Sequence, residues 1–439
     1  MLKKLKKLKK LKKAKQICIL FPVITPNVAL SSAGQTTEPF EVRRAEAAFE
    51  ELPVLNASEI LQPEILAGPH HKVREPVPTY FGANQFTIDS DFGVFEAKGN
   101  EMLVRRIKEI NAIAQLKDVS RIDEYEKALI AAAKSPVAAA KNIVNDPVNT
   151  ISNVPKGIMK FMSRAGESVK NIGKKNESSA AEGSKVEQLI GFSDTKRKMA
   201  IKLGVDPYST NPVLQHELDG IAWASFAGGA TFSLATLPIG GGAGAALAVT
   251  DVNSSFDDML REKSPTDLKI INRKTLFGLG ANAKDTERFL NNSAFSPSEQ
   301  TAFVLNLKSL NGVANRGAFV RTAGEISSDE SDAIFCVQTA ALMSQIHKNK
   351  PLARVAMIGD FPICIAKDGT IIVVFQWDYA AWTSGAAGFT SDVQKLATES
   401  GKSRNVFVAL SGQVSPRLRQ ELETRGFTVQ DRLAPGPLK

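Results

Sequence analysis

The sequence predicts an α+β fold, with helices through the N-terminal and central regions and a small mixed β-sheet at the C-terminus. Three patterns support this prediction. Residues 186–348 repeat apolar side chains at helical spacing, residues 354–377 hold three short runs rich in β-branched residues, and residues 404–432 follow the pattern strand, loop, helix, strand. A helix that connects two strands of one sheet is a crossover, so we expect a hairpin joined to a strand–helix–strand unit.

Residues 1–33 have the composition of a signal peptide. Nine lysines occupy the first 15 residues, a charge-free apolar stretch runs from Ile17 to Leu30, and Ser31-Ser32-Ala33 fits a cleavage site. Pro22 and Pro26 interrupt the apolar stretch, which is also shorter than the roughly 20 residues of a membrane-spanning helix. A solvated basic tail is the alternative. We therefore expect a periplasmic or secreted protein that is cleaved after Ala33.

The net positive charge of the chain comes from this N-terminal stretch. The chain has 55 Lys and Arg, 46 Asp and Glu, and a net charge of +9. No acidic residue precedes Glu38, so residues 34–439 carry equal numbers of basic and acidic residues. A balanced charge argues against a broad nucleic-acid-binding face, and we predict no nucleic-acid partner.

Residues 34–188 divide into three predicted parts. Residues 34–80 are rich in proline, and the adjacent His70 and His71 have no further ligand at metal spacing, so a flexible exposed segment is expected. In residues 81–178, alternating Phe86 and Ile88 before Gly93 predict a β-hairpin, followed by amphipathic helices. The helices over 135–178 are basic and suit either an anionic lipid surface or another domain. Residues 179–188 have the composition of a linker.

Residues 189–350 are predicted to form a helical domain. Ser296 with Glu299, and Ser327 with Glu330, have the spacing of capping boxes, which predicts helices near 297–310 and 328–347. The segment 220–250 carries no charge and is rich in glycine and alanine. Its small residues and Pro238 favour a buried helical hairpin, and insertion into a membrane is the alternative.

Residues 351–439 are predicted to form an α/β domain that carries the candidate ligand site. Strand ends that precede a helix are common binding positions in such sheets, because free backbone N–H groups at the helix start face an anion. Two aspartates flank neighbouring strands and suit acid–base roles, with ordinary surface aspartates as the alternative. The candidate ligand-binding residues are Ser411, Gly412, Gln413, Ser415, Asp360 and Asp378.

The other reactive residues of the chain do not form a recognisable catalytic motif. Cys336 and Cys364 are expected to be two buried thiols, with a bridge as the alternative if their helix and strand pack together. His216-Glu217 lacks the second histidine of a zinc-protease helix, and the chain contains no Gly-x-Ser-x-Gly motif. We therefore predict no catalytic residue, no metal site and no cofactor.

Two functional hypotheses follow from the sequence. The leading one is a non-catalytic bacterial envelope or exported protein that binds an anionic membrane surface or a protein partner. The alternative is an exported hydrolase or small-ligand-binding protein that uses the C-terminal sheet. A deep pocket that gathers Asp360, Asp378, Ser411 and a histidine would favour the alternative, whereas a pocket-poor sheet beside an exposed helical face would favour the first.

Overall fold

The fold is taken from a computed structural model, which describes residues 48–134, 180–232, 253–399 and 403–439. The predicted signal peptide, the predicted basic helices of 135–178 and most of the apolar segment 220–250 lie outside these residues. The described chain is α+β, as predicted, with several sheets and 54% helix.

The N-terminal part of the described chain forms an antiparallel sheet. Its strands run in the order β1-β4-β5-β3-β2, and β6 pairs with β5. Two short helices, α1 and α2, connect β1 to β2. The elements are β1 (Val54–Asn56), α1 (Ala57–Ile60), α2 (Pro63–Leu66), β2 (Ala67–Gly68), β3 (His71–Val73), β4 (Pro76–Tyr80), β5 (Ala83–Ser90) and β6 (Gly93–Lys98).

This sheet overturns the prediction of a flexible, proline-rich segment for the described part of 34–80. In β4 the prolines Pro76 and Pro78 point outward, while Val77 between them is fully buried. His71 is also buried, and its Nε2 lies 3.1 Å from the carbonyl oxygen of Ile65. Pro76 and Pro78 therefore lie on the exposed face of a strand, and the residues between and after them, Val77 and Thr79, face the core.

The predicted hairpin and the helix after it are both confirmed. Strands β5 and β6 pair antiparallel, with Phe86 opposite Ala97 and Ile88 opposite Phe95. The long helix α3 (Asn100–Val119) follows directly, and its Leu103, Ile107 and Ile110 side chains share a hydrophobic cluster with the inner face of the sheet.

The central part of the described chain is helical, as expected. The predicted linker of 179–188 is wrong for its described part, because α5 begins at Ala180 and continues past residue 188. The elements are α4 (Asp123–Lys134), α5 (Ala180–Lys202), α6 (Pro212–Gly228), α7 (Asn253–Glu262), α8 (Pro265–Gly278), α9 (Ala283–Leu290), α10 (Pro297–Ser309), α11 (Arg316–Ile326) and α12 (Glu330–Asn349).

The start of the apolar segment 220–250 belongs to α6. Ile221, Ala222 and Ala224 are buried in this helix, which ends at Gly229 in the left-handed conformation, with φ of 72°. Residues 233–250 lie outside the described chain, so the predicted hairpin is tested only in its first half. Within the described residues, no helix combines the length and apolarity that crossing a membrane requires.

One of the two predicted capping boxes is confirmed and the other is wrong. Ser296 and Glu299 cap α10 reciprocally through side chain and backbone. At α12 the cap is Asp329, whose carboxylate accepts from the backbone N–H groups of Ser331 and Asp332. Ser327 instead ends α11, with extended backbone, so it is too early in the chain to reach the first turn of α12.

The C-terminal part forms the predicted mixed sheet. The strand order is β13-β11-β9-β8-β7, with β9, β11 and β13 parallel and the other pairs antiparallel. The turn at Asp368-Gly369 joins β8 to β9, with Gly369 at φ of 87°. The elements are β7 (Leu352–Ile358), β8 (Phe361–Ala366), β9 (Ile371–Phe375), β10 (Tyr379–Ala380), α13 (Ser384–Thr398), β11 (Val406–Leu410), β12 (Gln413–Val414), α14 (Pro416–Thr424) and β13 (Phe427–Gln430).

The largest hydrophobic cluster crosses the predicted domain boundary at residue 350. It joins Phe303 of α10 and Met343 of α12 to Ile372 of β9. Residues 48–439 therefore form one unit rather than separate helical and α/β domains. Cys336 and Cys364 are free, buried thiols of this cluster, and burial raises the pKa of each to about 12.

Candidate functional site

A small pocket lies at the carboxyl ends of β9 and β11. It has a volume of about 90 Å³ and is closed by α2, by the first turn of α3 and by residues 435–438. Because β9 and β11 are parallel neighbours, the segments that follow them emerge at the same edge of the sheet. These two segments bring Gln376 and Asp378 next to Ser411 and Gly412.

Asp378 connects the two sheets through its carboxylate. Its Oδ2 accepts hydrogen bonds from the backbone N–H of Asn84, at 2.9 Å, and of Asn100, at 3.1 Å. Asn100 is the first residue of α3, and the preceding N-cap, Gly99, has no side chain to cap the helix. Burial raises the pKa of Asp378 to about 7, although both amide hydrogen bonds act to lower it. Asp378 therefore caps α3 from a distant part of the chain.

Glu101 is the second acidic residue of the pocket. It lies in the first turn of α3, and its Oε1 atom is buried with no hydrogen-bond partner among the described residues. Burial raises the pKa of Glu101 to about 7. Arg105 and Lys108 lower this pKa, and the negative charge of Asp378 raises it. The two carboxyl groups are thus close enough for the charge of one to disfavour ionisation of the other.

The loop after β11 packs tightly against residues 377 and 378. The Ser411 hydroxyl donates to the carbonyl oxygen of Trp377 at 3.1 Å. A Cβ atom on Gly412 would lie 2.1 Å from the carbonyl oxygen of Asp378, so only glycine fits there. The backbone of residues 410–412 is further held by Arg432 and Leu433, whose N–H groups donate to the carbonyl oxygens of Gly412 and Leu410.

Three of the six sequence-predicted residues line this pocket and three do not. Asp378, Ser411 and Gly412 line it. Gln413 pairs with Tyr379 in the short β10–β12 ladder, and Asp360 is exposed in the turn between β7 and β8. Ser415 is buried beneath the start of α14.

The anion site expected at the start of α14 is occupied by the protein itself. The Ser415 hydroxyl accepts from the backbone N–H of Leu418, at 3.0 Å, and donates to Glu50 Oε2 at 2.6 Å. The same Glu50 oxygen accepts from the backbone N–H of Trp382. A carboxylate of the N-terminal segment therefore lies where an anionic ligand was expected, and Ser415 has a structural role.

The sequence did not reveal several polar residues of the pocket, among them Glu101, Gln62 and Gln376. In the sequence Glu101 appears as an ordinary acidic residue in the first turn of a helix, where the helix dipole favours it. Gln62 and Gln376 belong to loops with no motif. Both side chains line the pocket.

The lining residues offer no catalytic or metal-binding constellation. All of them belong to the described chain, and they include no histidine, cysteine, lysine or arginine. Throughout the described ranges, no cluster of three or more His, Cys, Asp or Glu is arranged to hold a metal ion. Comparisons with protein-family models, with curated proteins and with solved structures find no match.

Proposed function

We propose that this protein binds a small organic ligand in the pocket at the carboxyl ends of β9 and β11. The buried Oε1 atom of Glu101, which lacks a hydrogen-bond partner among the described residues, is the observation that carries the proposal. Leaving a buried polar group without a partner costs about 1–3 kcal/mol, and more when the group is charged. A bound ligand supplies the missing donor and compensates this cost.

The lining favours ligand binding over hydrolysis. A serine hydrolase needs a hydroxyl that donates to a base, usually a histidine. The Ser411 hydroxyl instead donates to a backbone carbonyl oxygen, and no histidine lines the pocket. The pocket also pairs its polar groups with apolar ones from Ile65, Val104 and Leu438, which is the usual composition of a small-molecule site.

Equilibrium dialysis against a small-molecule extract of the native host tests this proposal. Gln62→Trp places a large ring at the rim of the pocket, and Glu64→Trp places the same ring on the exposed face of α2. Mass spectrometry should find at least one compound enriched by the wild type and by Glu64→Trp but not by Gln62→Trp. If wild type and Gln62→Trp retain the same compounds, the pocket is not the binding site.

Binding to an anionic membrane surface is a second candidate, and an exposed aromatic pair favours it. Tyr80 and Phe81, at the turn between β4 and β5, are 62% and 76% exposed, with their rings 4.4 Å apart. Phe81 has φ of 46°, and such backbone strain in a residue other than glycine concentrates at functional sites. The basic composition of 135–178 would add attraction to anionic lipid that salt weakens.

Sedimentation with anionic vesicles at low and high salt tests this second candidate. Wild type should sediment at low salt, and Phe81→Gly should weaken the part of the binding that persists at high salt. Phe277→Gly, at another exposed phenylalanine, is the control. Lack of sedimentation at both salt concentrations would leave a protein partner as the remaining interpretation of the exposed pair.

Export to the periplasm or the medium remains a proposal that rests on residues 1–33. Its basic stretch, apolar stretch and small-residue exit support it. Mass spectrometry of the protein from its native host should find an N-terminus at Gly34 or within a few residues of it. A full-length chain in the cytosol would contradict export.

A further inference from the structure

The charged side chains that line the pocket are both acidic. Glu101 and Asp378 both contribute carboxyl groups, and no basic side chain lines the pocket. The Oε1 atom of Glu101 is buried without a hydrogen-bond partner among the described residues, and the two backbone hydrogen bonds to Asp378 both end on Oδ2, so neither uses its Oδ1 atom. The pocket lining therefore contributes two carboxyl groups as acceptors for a ligand that donates hydrogen bonds.

The basic groups near these carboxyls do not neutralise the pocket. Arg105 lowers the pKa of Glu101, but it does not line the pocket, and its guanidinium bonds Glu299 at 2.8 Å and Glu330 at 3.3 Å. Lys108 also lowers the pKa of Glu101, and its positive charge interacts with Asp257 as well as with Glu101. Asp378 is influenced by burial and by the amides of Asn84 and Asn100, without a basic group. A cation inside the pocket would thus meet two carboxyl groups and no basic side chain among the lining residues.

We propose that the ligand is a small organic ammonium compound, with its ammonium group between the carboxyl groups of Glu101 and Asp378 and its carbon atoms against Ile65, Val104 and Leu438. This inference rests on the ligand-binding function proposed above. An ammonium group has three donors and a full positive charge, which match two carboxyl groups and the amide oxygens of Gln62 and Gln376.

The apolar side of the pocket argues for an organic cation rather than a metal ion. Calcium takes six to eight oxygen ligands and magnesium prefers an octahedral set, most often with several carboxylates or waters. Two carboxyl groups line the pocket, and proline, leucine, isoleucine and valine side chains make up its apolar part. Carbon atoms of a ligand would bury these groups from water, which a bare ion cannot do.

Binding of an ammonium group should be linked to release of protons. Both carboxyl groups have a pKa of about 7, so each is partly protonated at neutral pH. A bound cation favours the ionised form and lowers both pKa values. Below pH 6 about nine-tenths of each group is protonated, while a free alkylamine stays charged up to about pH 10, so the affinity should fall by at least about tenfold from pH 8 to pH 6.

Titration with three probes of similar shape tests the inference: n-propylammonium, n-propanol and propionate. The backbone amide signals of Asn84 and Asn100 in nuclear magnetic resonance spectra report on Asp378, because both amides bond its carboxylate. At pH 8 the ammonium probe should shift both signals to saturation, and the alcohol and the carboxylate should not. Glu101→Gln should weaken binding of the ammonium probe about tenfold or more, and the matched exposed variant Glu64→Gln should not.

Three other outcomes separate the failure of this inference from the failure of the proposed function. If n-propanol or propionate binds as tightly as n-propylammonium, the ammonium assignment is overturned and the ligand-binding function stands. If the affinity for n-propylammonium is the same at pH 6 and pH 8, the assignment of Glu101 and Asp378 as its partners is overturned. If none of the probes shifts the Asn84 and Asn100 signals, the ammonium inference is overturned, and the proposed function is then decided by the dialysis comparison of wild type with Gln62→Trp.

Discussion

At the scale of single residues, Glu101 and Asp378 are buried acids that reduce the stability of the fold near neutral pH. A carboxyl whose pKa rises from 4.5 to about 7 on folding stays protonated in the folded chain after the unfolded chain has ionised. Stability then falls as the pH rises from 4.5 to 7, and for Glu101 the loss amounts to about 3 kcal/mol. Such a cost is typical of functional sites, where chemistry rather than stability selects the residue.

Replacement of Glu101 by glutamine tests this loss. Glu101→Gln removes the ionisation but keeps the shape, so its free energy of unfolding should exceed that of the wild type by about 3 kcal/mol at pH 8 and by little at pH 4.5. Urea unfolding at both pH values measures the difference, with Glu64→Gln as the exposed control. A gain of equal size at both pH values would show that Glu101 ionises as it does in the unfolded chain.

Gly412 is the residue whose size sets the shape of the pocket wall. Gly412→Ala would force its Cβ against the carbonyl oxygens of Asp378 and Trp377, and overpacking of this kind lowers the free energy of unfolding by about 1–3 kcal/mol. The control is Gly388→Ala in the exposed part of α13, where no atom lies within 4 Å and the better helix propensity of alanine should raise stability by up to about 1 kcal/mol. Thermal unfolding of both variants should therefore shift in opposite directions.

At the scale of elements, α3 links the pocket to the helical region. Its first turn forms part of the pocket, and its next turn carries Arg105 and Arg106 into a buried ionic cluster with α10 and α12. In this cluster Arg106 bonds Glu109 at 2.7 Å and Glu330 at 3.0 Å. The ion pairs of the second turn therefore help to hold α3, and with it Glu101, in place.

Loss of Arg105 should be costly because it leaves Glu299 buried without its partner. Removing one member of a buried ion pair costs about 3–5 kcal/mol, so Arg105→Gln should lower the free energy of unfolding by that amount. Arg121→Gln is the matched control, since its ion pair with Asp118 is about three-quarters exposed and contributes at most about 1 kcal/mol. If urea unfolding gave similar losses of free energy for the two variants, the ion pair of Arg105 with Glu299 would not be shielded from water.

The start of α12 distinguishes the predicted cap from the observed one. Asp329→Ala should lower the free energy of unfolding by about 1 kcal/mol, because the N–H groups of Ser331 and Asp332 lose their acceptor. Asp329→Asn keeps an acceptor and loses only the exposed ion pair with Lys98, so it should remain close to the wild type. If Ser327→Ala had the larger effect on the helix content of a peptide covering 325–349, the cap at Asp329 would be wrong.

At the scale of the whole molecule, the two sheets and the helical region should unfold together. The largest hydrophobic cluster spans α7 to β9, and Asp378 joins the C-terminal sheet to α3. In a Trp223→Phe variant the remaining tryptophans, Trp377 and Trp382, report on the C-terminal sheet, while far-ultraviolet circular dichroism reports mainly on the helices. Both signals should change at one urea concentration. Separate midpoints would support the independent α/β domain that the sequence suggested.

The sequence by itself determined the elements that depend on neighbouring residues. Asp368-Gly369 supplies the turn of one hairpin, Ser296 with Glu299 starts α10, and Ser415 with Pro416 starts α14. Each of these signals acts within a few residues through a hydrogen bond or a favoured backbone angle, so it survives in any tertiary context. Asp378, Ser411 and Gly412 could also be predicted to lie at one edge of the sheet, because the carboxyl ends of neighbouring parallel strands lie together.

Only the tertiary structure decided which distant residues complete the pocket. Glu101 reaches Asp378 across 277 positions of the chain, through the packing of α3 against both sheets, and no local pattern records that contact. The prolines of β4 suggested a linker because composition alone does not show that β1 and β5 pair with that strand. The sequence predicted Ser415 as a ligand-binding residue, but its hydroxyl donates a hydrogen bond to the carboxylate of Glu50. A short-range hydrogen bond depends on residues that are neighbours in the sequence, so the sequence predicts it. The burial that raises the pKa of Glu101 depends instead on which distant parts of the chain pack together.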